Sequence, residues 1–482
     1  MAIARKIAYN VAVSSVAKVF STILALVSIG FITRYLGKEG FGDYATVLAF
    51  LSFFASVADL GLYSISTREI SREGADEEKI IGNIFSLRVI SALIVLIASP
   101  VVVLFFDYPL AVKEGIVIAA ASFVFSSGYQ VLNGLFQQNL AMDRVAVGEL
   151  VGKIVQVAGV IIAVKLNLGF NWIIGSLLFN MIASFLIVFF WSKKYIRFHM
   201  RFDFGYWKIF LKESLPLGVG SMIVFVYFKM DTILLSIMKT NADVGIYSAA
   251  YKVLENLTFF PAMIAGLILP IMANTIFRDK KRFQEISNKT FKFFVLIIVP
   301  LVIGTLFLAN GVINLIGGGQ FADSSNVLRI LVFAIAAIFF SMFFNNILIA
   351  GNQQKKLIYI WSLAAATNVT LNLIFIPKFS YLAAASISVL TELLVAGAAF
   401  AVVVKKIKYY PRVEKKFGIM MAGGGMVVFL IAFQSENFFM LALGSAAVYF
   451  FGLWLFKAVK TSEITSLFTK QGVEEFEHEN LP

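Results

Sequence analysis

The chain has 482 residues, of which 60% are hydrophobic and 14% charged, with 50 phenylalanines, two histidines and no cysteine; a soluble domain is nearer half apolar and a quarter charged. This excludes disulfides, thiolate metal sites and cysteine nucleophiles. Two histidines, His199 and His478, both in charged stretches, cannot build a metal centre, and the net charge of +13 is what the cytoplasmic loops of a membrane protein collect, so it calls for no nucleic-acid partner.

A crossing helix takes about 20 mostly apolar residues. About fourteen such spans follow one another: 8–33, 43–66, 82–106, 114–138, 145–165, 170–191, 211–238, 245–273, 290–310, 326–350, 356–376, 381–404, 416–434 and 437–457. The fold class expected is an all-α integral membrane protein with almost nothing outside the bilayer. The first span is too long for a cleaved signal peptide, and Arg34-Tyr35-Leu36 stands where a small-residue cleavage site would be. The acidic stretch Glu474 to Glu479 reads as a solvated tail.

Orientation follows from Lys and Arg. With the N-terminus inside, the inside segments hold 29 of them, the outside segments 7, and five lie within spans. That bias places both termini in the cytoplasm of a cell membrane. The basic loop 192–212 separates six spans from the rest, as a linker between lobes would. The expected organisation is a six-helix lobe over 1–192, a cytoplasmic linker over 193–210, a second six-helix lobe over 211–404, two further helices over 416–457 and a tail over 458–482. A short internal echo agrees: Phe41-Gly42-Asp43-Tyr44-Ala45 opens the second span and Val244-Gly245-Ile246-Tyr247-Ser248 the eighth, six spans later. Parallel repeats of this kind occur in transporters.

Ionisable residues inside a bilayer are expensive and face a cavity or a partner. The buried cations are Lys18, Arg88, Lys153, Lys229 and Lys252; the acids are Asp59, Glu149, Asp231, Glu255 and Glu392. Some have plain explanations. Arg88 is roughly 9 Å from the inside edge, within snorkelling reach. Glu149 and Lys153 stand at i,i+4, and Lys252 and Glu255 at i,i+3, spacings that pair on one helix face. Lys18 is harder to explain away, at about 15 Å depth. Asn10 and Ser14 precede it at intervals of four, so the three form one polar stripe that reads as a cavity wall. Asn133 and Gln137, and Asn368 and Asn372, repeat the spacing and read as interhelical hydrogen-bonding residues. A basic central cavity favours an anionic ligand such as a phosphate or pyrophosphate head group. The last two spans carry no buried charge and look lipid-facing, suited to lining a groove for a lipid tail.

No phosphate-cradling Gly-x-x-x-x-Gly-Lys-Ser/Thr loop, His-Glu-x-x-His or Gly-x-Ser-x-Gly occurs, so neither enzymatic activity nor a cofactor is expected.

Four stretches carry a family resemblance: Arg34 through Tyr44; Asp59-Leu60-Gly61 followed by Arg68-Glu69; Asp231 through Ala250; and Asn372 through Pro377 into Ala383-Ala384-Ala385 and Glu392. In order and spacing the chain resembles the polysaccharide flippases, of O-antigen and teichoic-acid exporter type, in the multidrug/oligosaccharidyl-lipid/polysaccharide transporter superfamily. It departs from many relatives at Phe379-Ser380-Tyr381-Leu382, where they have a glycine-rich turn. The resemblance implies a V-shaped pair of six-helix lobes working by alternating access. The implied substrate is a polyprenyl-phosphate- or pyrophosphate-linked oligosaccharide, flipped from the cytoplasmic to the outer leaflet, with H⁺ or Na⁺ as coupling ion. Lys18, Arg88, Lys153, Lys229 and Lys252, with Asn10 and Ser14, are the expected substrate-binding residues. Asp59, Glu149, Asp231 and Glu255 are the expected ion-coupling candidates, in a monomer whose partners are lipid-linked oligosaccharide and membrane lipid. A cation-coupled multidrug exporter of the same superfamily, expected to have an acid-dominated cavity, and a lipid II flippase are the alternatives.

Overall fold

In the computed structural model the chain is helical, with no strand among the described residues, which are 2–59, 61–70 and 76–459. Leu60 of the second motif, Arg72, Lys460 and Lys470 of the inside count, and the acidic tail lie outside them. This is what a bilayer demands, because a spanning helix satisfies its own backbone where water is absent. The helices are α1 (Ala2–Asp59), α2 (Leu62–Ile70), α3 (Glu77–Val103), α4 (Leu110–Gln138), α5 (Met142–Lys165), α6 (Phe170–Ser192), α7 (Phe204–Met238), α8 (Asn241–Leu257), α9 (Phe259–Thr275), α10 (Lys280–Gly317), α11 (Ser324–Ala350), α12 (Gln354–Val402), α13 (Lys416–Ala432) and α14 (Phe438–Leu455).

Among the described residues, eleven stretches are long and apolar enough to cross a membrane. Two of them, Val13–Asp59 with 47 residues and Gln354–Ile407 with 54, far exceed one crossing. Each is broken where a span boundary was expected: α1 at Gly37, with φ 66 and ψ −174, and α12 at Ser380, with φ 50 and ψ −133. With α13, an apolar helix of 17 residues, this accommodates about fourteen crossings. Polar residues mark several helix starts. Asp76 caps α3 by accepting from the Lys79 amide at 3.0 Å, Asp203 caps α7 from the Tyr206 amide at 3.0 Å, and Asn437 caps α14 from the Met440 amide at 2.9 Å. Asp203 lies in the loop ahead of α7, and the Tyr206 amide, followed by Lys79, holds its carboxyl below the usual carboxylate range.

The helices form two compact units. The first comprises Met1–Lys252, Ile313–Val327 and Trp361–Thr391. Within it, the expected turns gather at two ends. At one, Tyr35 Oη donates to Asn167 Oδ1 at 2.8 Å, Arg34 Nη2 to the Leu315 carbonyl at 2.7 Å and Lys239 Nζ to the Pro377 carbonyl at 2.9 Å, while the Tyr108 and Ser236 hydroxyls meet at 2.9 Å. At the other, Gln138 Nε2 donates to Glu77 Oε1 at 2.7 Å, the Asp203 amide to Asn83 Oδ1 at 2.9 Å, and Arg68 pairs with Glu213. The first set holds turns poor in Lys and Arg and the second set the rich ones, the alternation that charge counting predicts.

The internal echo also has a physical counterpart in this unit. A side chain on Gly42 would collide with the Asn241 carbonyl, and one on Gly245 with the Lys38 carbonyl. Each glycine receives the carbonyl four residues before the other, so the two motifs cross backbone to backbone, as small residues permit inside membranes.

The second unit comprises Val253–Val312, Leu328–Ile360 and Glu392–Pro482. Its core is aromatic, with Phe294 edge-on to Phe339 at 5.4 Å and Phe291 against Phe343 at 5.3 Å. Tyr449 of α14 donates to the Leu296 carbonyl of α10 at 3.1 Å, and Asn288 accepts both Tyr409 Oη at 2.8 Å and the Arg412 amide at 2.9 Å. Residues on α13 and α14 such as Met420 and Leu443 stay exposed, as lipid-facing helices require. Glu392 is 4% exposed, and its Oε2 has no hydrogen-bond partner.

Candidate functional site

All but Glu255 of the predicted site residues lie in the first unit. Arg88 does not snorkel. It is 1% exposed, pairs with Asp59 beside the end of α1, and donates from Nη1 to Gln130 Oε1 at 3.0 Å. Asp59 in turn accepts the Gly61 amide at 3.2 Å. A buried guanidinium needs such a counter-charge, so sequence placed both residues correctly inside the span and missed that they answer each other.

Glu149 and Lys153 take separate partners although their spacing allows a pair. Tyr129 Oη donates to Glu149 at 2.9 Å, and Lys153 Nζ donates to Gln156 Oε1 at 2.9 Å. Gln156 also accepts Asn180 Nδ2 at 3.0 Å, which fixes its amide.

Asp231 is 1% exposed and enclosed by donors: the Tyr247 hydroxyl, Ser388 Oγ at 3.0 Å and the Thr232 amide at 2.7 Å. Tyr247 belongs to the motif that opens α8, so its place there was the available signal; Ser388 gave none. Two residues before Asp231, Lys229 lies 4.9 Å from the centre of the Tyr251 ring, a cation–π distance.

The lysines act on one another. Lys153 feels the like charge of Lys18, and Lys252 feels those of Lys229 and Lys153. Four cations from α1, α5, α7 and α8 therefore share one field, with Lys18 exposed and the other three half-buried. That is an anion-attracting arrangement.

The polar stripe on α1 divides. Asn10 is a tie: its Nδ2 donates to the Leu140 carbonyl at 2.8 Å and its Oδ1 accepts the Asp143 amide at 2.9 Å, holding the start of α5. Ser14 Oγ is buried without a hydrogen bond. Asn368 and Asn372, expected to bond between helices, bond along their own, Asn372 Nδ2 to Asn368 Oδ1 at 2.9 Å. In the second unit, the Glu255 carbonyl accepts Thr258 Oγ1 at 2.8 Å. Among the described residues no group of three or more His, Cys, Asp or Glu is placed to hold a metal ion.

A family model described as polysaccharide biosynthesis protein matches residues 7–276. The chain belongs to that family. Among curated relatives, a putative O-antigen transporter of Shigella flexneri is 26% identical over 333 residues, covering 64% of this chain and 77% of that protein. A probable low-salt glycan biosynthesis flippase of Haloferax volcanii is 21% identical over 372 residues, covering 77% of this chain and 78% of that protein. Among solved structures, the lipid II flippase MurJ in an inward closed conformation aligns with a TM-score of 0.74 at 16% identity, over 92% of this chain and 98% of that one. An inward-facing multidrug resistance transporter of the MATE family aligns at 0.65 with 14% identity, over 83% and 98%. At these identities the two structures establish the fold: this is a multi-span membrane protein with the fold of that superfamily, as the sequence resemblance implied.

Proposed function

We propose that this protein is a flippase. It carries a polyprenyl-phosphate- or pyrophosphate-linked oligosaccharide from the cytoplasmic to the outer leaflet by alternating access between two six-helix lobes, 1–192 and 211–404, as a monomer with both termini cytoplasmic. The observation that carries the reading is the shared field of Lys18, Lys153, Lys229 and Lys252. Cations gathered inside a membrane protein are costly to hold, and a lipid phosphate adds counter-charge to them. The relatives named for O-antigen transport and glycan flipping, and the family itself, support the substrate class.

In this mechanism the lysines take the phosphates while the prenyl tail stays in lipid. Arg88, engaged by Asp59, and Asn10, engaged at the start of α5, shape the cavity and do not grip the head group; Ser14 lines the wall beside Lys18. Glu149, Asp231 and Glu255 remain the carriers for a coupling H⁺ or Na⁺, since buried carboxylates shift their proton affinity readily.

The test is leaflet assignment of lipid-linked oligosaccharide in a deletion strain. Accumulation on the cytoplasmic face, reversed by the wild-type gene and not by a Lys18→Gln/Lys229→Gln variant that reaches the membrane in normal amount, supports the reading. Normal flipping by that variant removes the lysine mechanism. A normal lipid distribution with new sensitivity to cationic dyes replaces the substrate class with a drug.

A further inference from the structure

The two arms of α12 meet at the break at Ser380 and line an open groove of about 380 Å³ within the first unit. Leu371, Phe375 and Phe379 line it from one arm. Leu382, Ser386 and Leu390 line it from the other. Each set recurs at intervals of four, which places it on one helix face, and the buried Ala383 and Ile387 complete the wall. The Phe375 and Phe379 rings stack at 6.4 Å and stay exposed. Ser386, the polar member of the lining, spends its hydroxyl on the Leu382 carbonyl at 2.8 Å, so the groove asks for no hydrogen bond. Phe379 and Leu382 belong to the stretch where this chain departs from the glycine-rich turn of many relatives, and the groove is to that extent particular to this sequence.

Its size and its end say what fits. The volume is in the range of small-ligand sites. Each lining row runs about 12 Å along its arm, against roughly 15 Å for half the hydrocarbon core. A chain that starts at the break and stops near mid-bilayer fills it; one that crosses the bilayer does not. At the break end, Lys378 is exposed and Lys239 reaches the Pro377 carbonyl at 2.9 Å, while Tyr381 feels the charges of Asp243 and Asp323. Both signs of charge at one end of an apolar groove complement a phosphate beside an amine.

We infer that this groove binds a zwitterionic glycerophospholipid of the leaflet on the side of the α12 break, which the proposed topology makes the outer one. One acyl chain lies between the two arms, and the head group meets Lys239 and Lys378. The prenyl tail of the substrate is a poorer occupant, because the groove ends within one leaflet and the lysines proposed for its phosphate stand on α1, α5, α7 and α8. The site is separate from that lysine field and does not depend on the flippase reading.

The experiment is native mass spectrometry of the purified full-length protein, titrated with phosphatidylethanolamine, with diacylglycerol, which keeps the chains and lacks the head group, and with polyprenyl diphosphate. Ser386→Trp fills the groove and is expected to weaken phosphatidylethanolamine more than about tenfold, since displacing a few methylene groups suffices for that. Lys378→Gln is expected to weaken it about fivefold and leave diacylglycerol unchanged; being an exposed substitution, it keeps the test open if Ser386→Trp does not fold. Leu373→Trp adds the same ring to an exposed position of α12 outside the groove and is expected to change neither lipid. Phosphatidylethanolamine binding that survives Ser386→Trp, or that falls equally in Leu373→Trp, overturns the site, and equal effects of Lys378→Gln on both lipids overturn the head-group contact. If polyprenyl diphosphate displaces phosphatidylethanolamine and shares its sensitivity to Ser386→Trp, the groove holds the substrate's tail and the phospholipid inference falls.

Discussion

Replacing Asp59 by leucine removes the counter-charge from a guanidinium that has almost no route to water. The Arg88 side chain is 2% exposed, the Asp59 side chain 25%. Arg88 keeps its 3.0 Å bond to Gln130, but Nε has no hydrogen-bond partner to compensate. Breaking one half of a buried pair costs about 3–5 kcal/mol, and the partial exposure of Asp59 puts this case near the lower figure. Arg88→Met is expected to cost less, because it leaves an acid that water already reaches. The double variant Asp59→Leu/Arg88→Met, with neither charge left, is expected within about 1 kcal/mol of wild type, as apolar replacement of buried pairs often is. The assay is denaturant unfolding in mixed micelles followed by fluorescence of the five tryptophans, arranged as a double-mutant cycle. Additive losses in the double variant, or a cost for Asp59→Leu below about 1 kcal/mol, would show that the pair is not a coupled buried unit.

Two further outcomes follow from backbone geometry and capping. Ser380 holds φ 50 and ψ −133 in the break of α12, a region nearly exclusive to glycine and costing of order 1–3 kcal/mol for other residues; Ser380→Gly is expected to stabilise by about 1 kcal/mol after the loss of unfolded-state restriction, read from the unfolding midpoint. The Asp203 carboxyl is held below its usual range by the Tyr206 amide, so its contribution is present above the unfolded carboxylate range and lost as pH falls through the lower folded value. The protection factors of amides at the start of α7, measured against the intrinsic rate at each pH, should therefore fall on acidification in wild type and be insensitive to it in Asp203→Asn.

What the sequence made legible is set by how strongly each feature is imposed. Span positions were legible because hydrocarbon thickness imposes about 20 apolar residues, and the breaks at Gly37 and Ser380 fell at expected boundaries. The departure noted at Ser380 turns out to be the residue carrying the positive φ. Buried charges were legible one by one, because any ionisable residue in a span is conspicuous. Their partners were not. Asp59 and Arg88 are 29 residues apart, Asp231 and Ser388 157 apart, and nothing in a single sequence announces a hydrogen bond at that separation. Local spacing told only part: Glu149 acts on the charge of Lys153 as i,i+4 implies, while their hydrogen bonds go to Tyr129 and Gln156. Asn368 and Asn372 show the same limit in reverse, a periodicity that pointed between helices and is met only in part within one, with Asn368 Nδ2 and Asn372 Oδ1 left without a partner.

The contrast between arginine and lysine in the first unit explains the division of labour proposed for it. Arg88 has a planar guanidinium whose donors fit a carboxylate and an amide at once, and its neighbours, Asp59 and Gln130, supply both. Its charge is therefore answered inside the protein. The acids beyond it accept hydrogen bonds, Glu149 from a tyrosine hydroxyl and Asp231 from two hydroxyls and an amide. Lys18, Lys153, Lys229 and Lys252 bear ammonium groups on flexible stems, where Lys153 feels the charge of Lys18 and Lys252 those of Lys229 and Lys153. A flexible point charge suits a ligand that must be taken up on one side and released on the other, since no bidentate geometry has to be broken on release. Binding energy that merely deepened the occupied state would slow the carrier. In the proposed mechanism, lysines gathered at one place draw the phosphate in while leaving each individual contact weak.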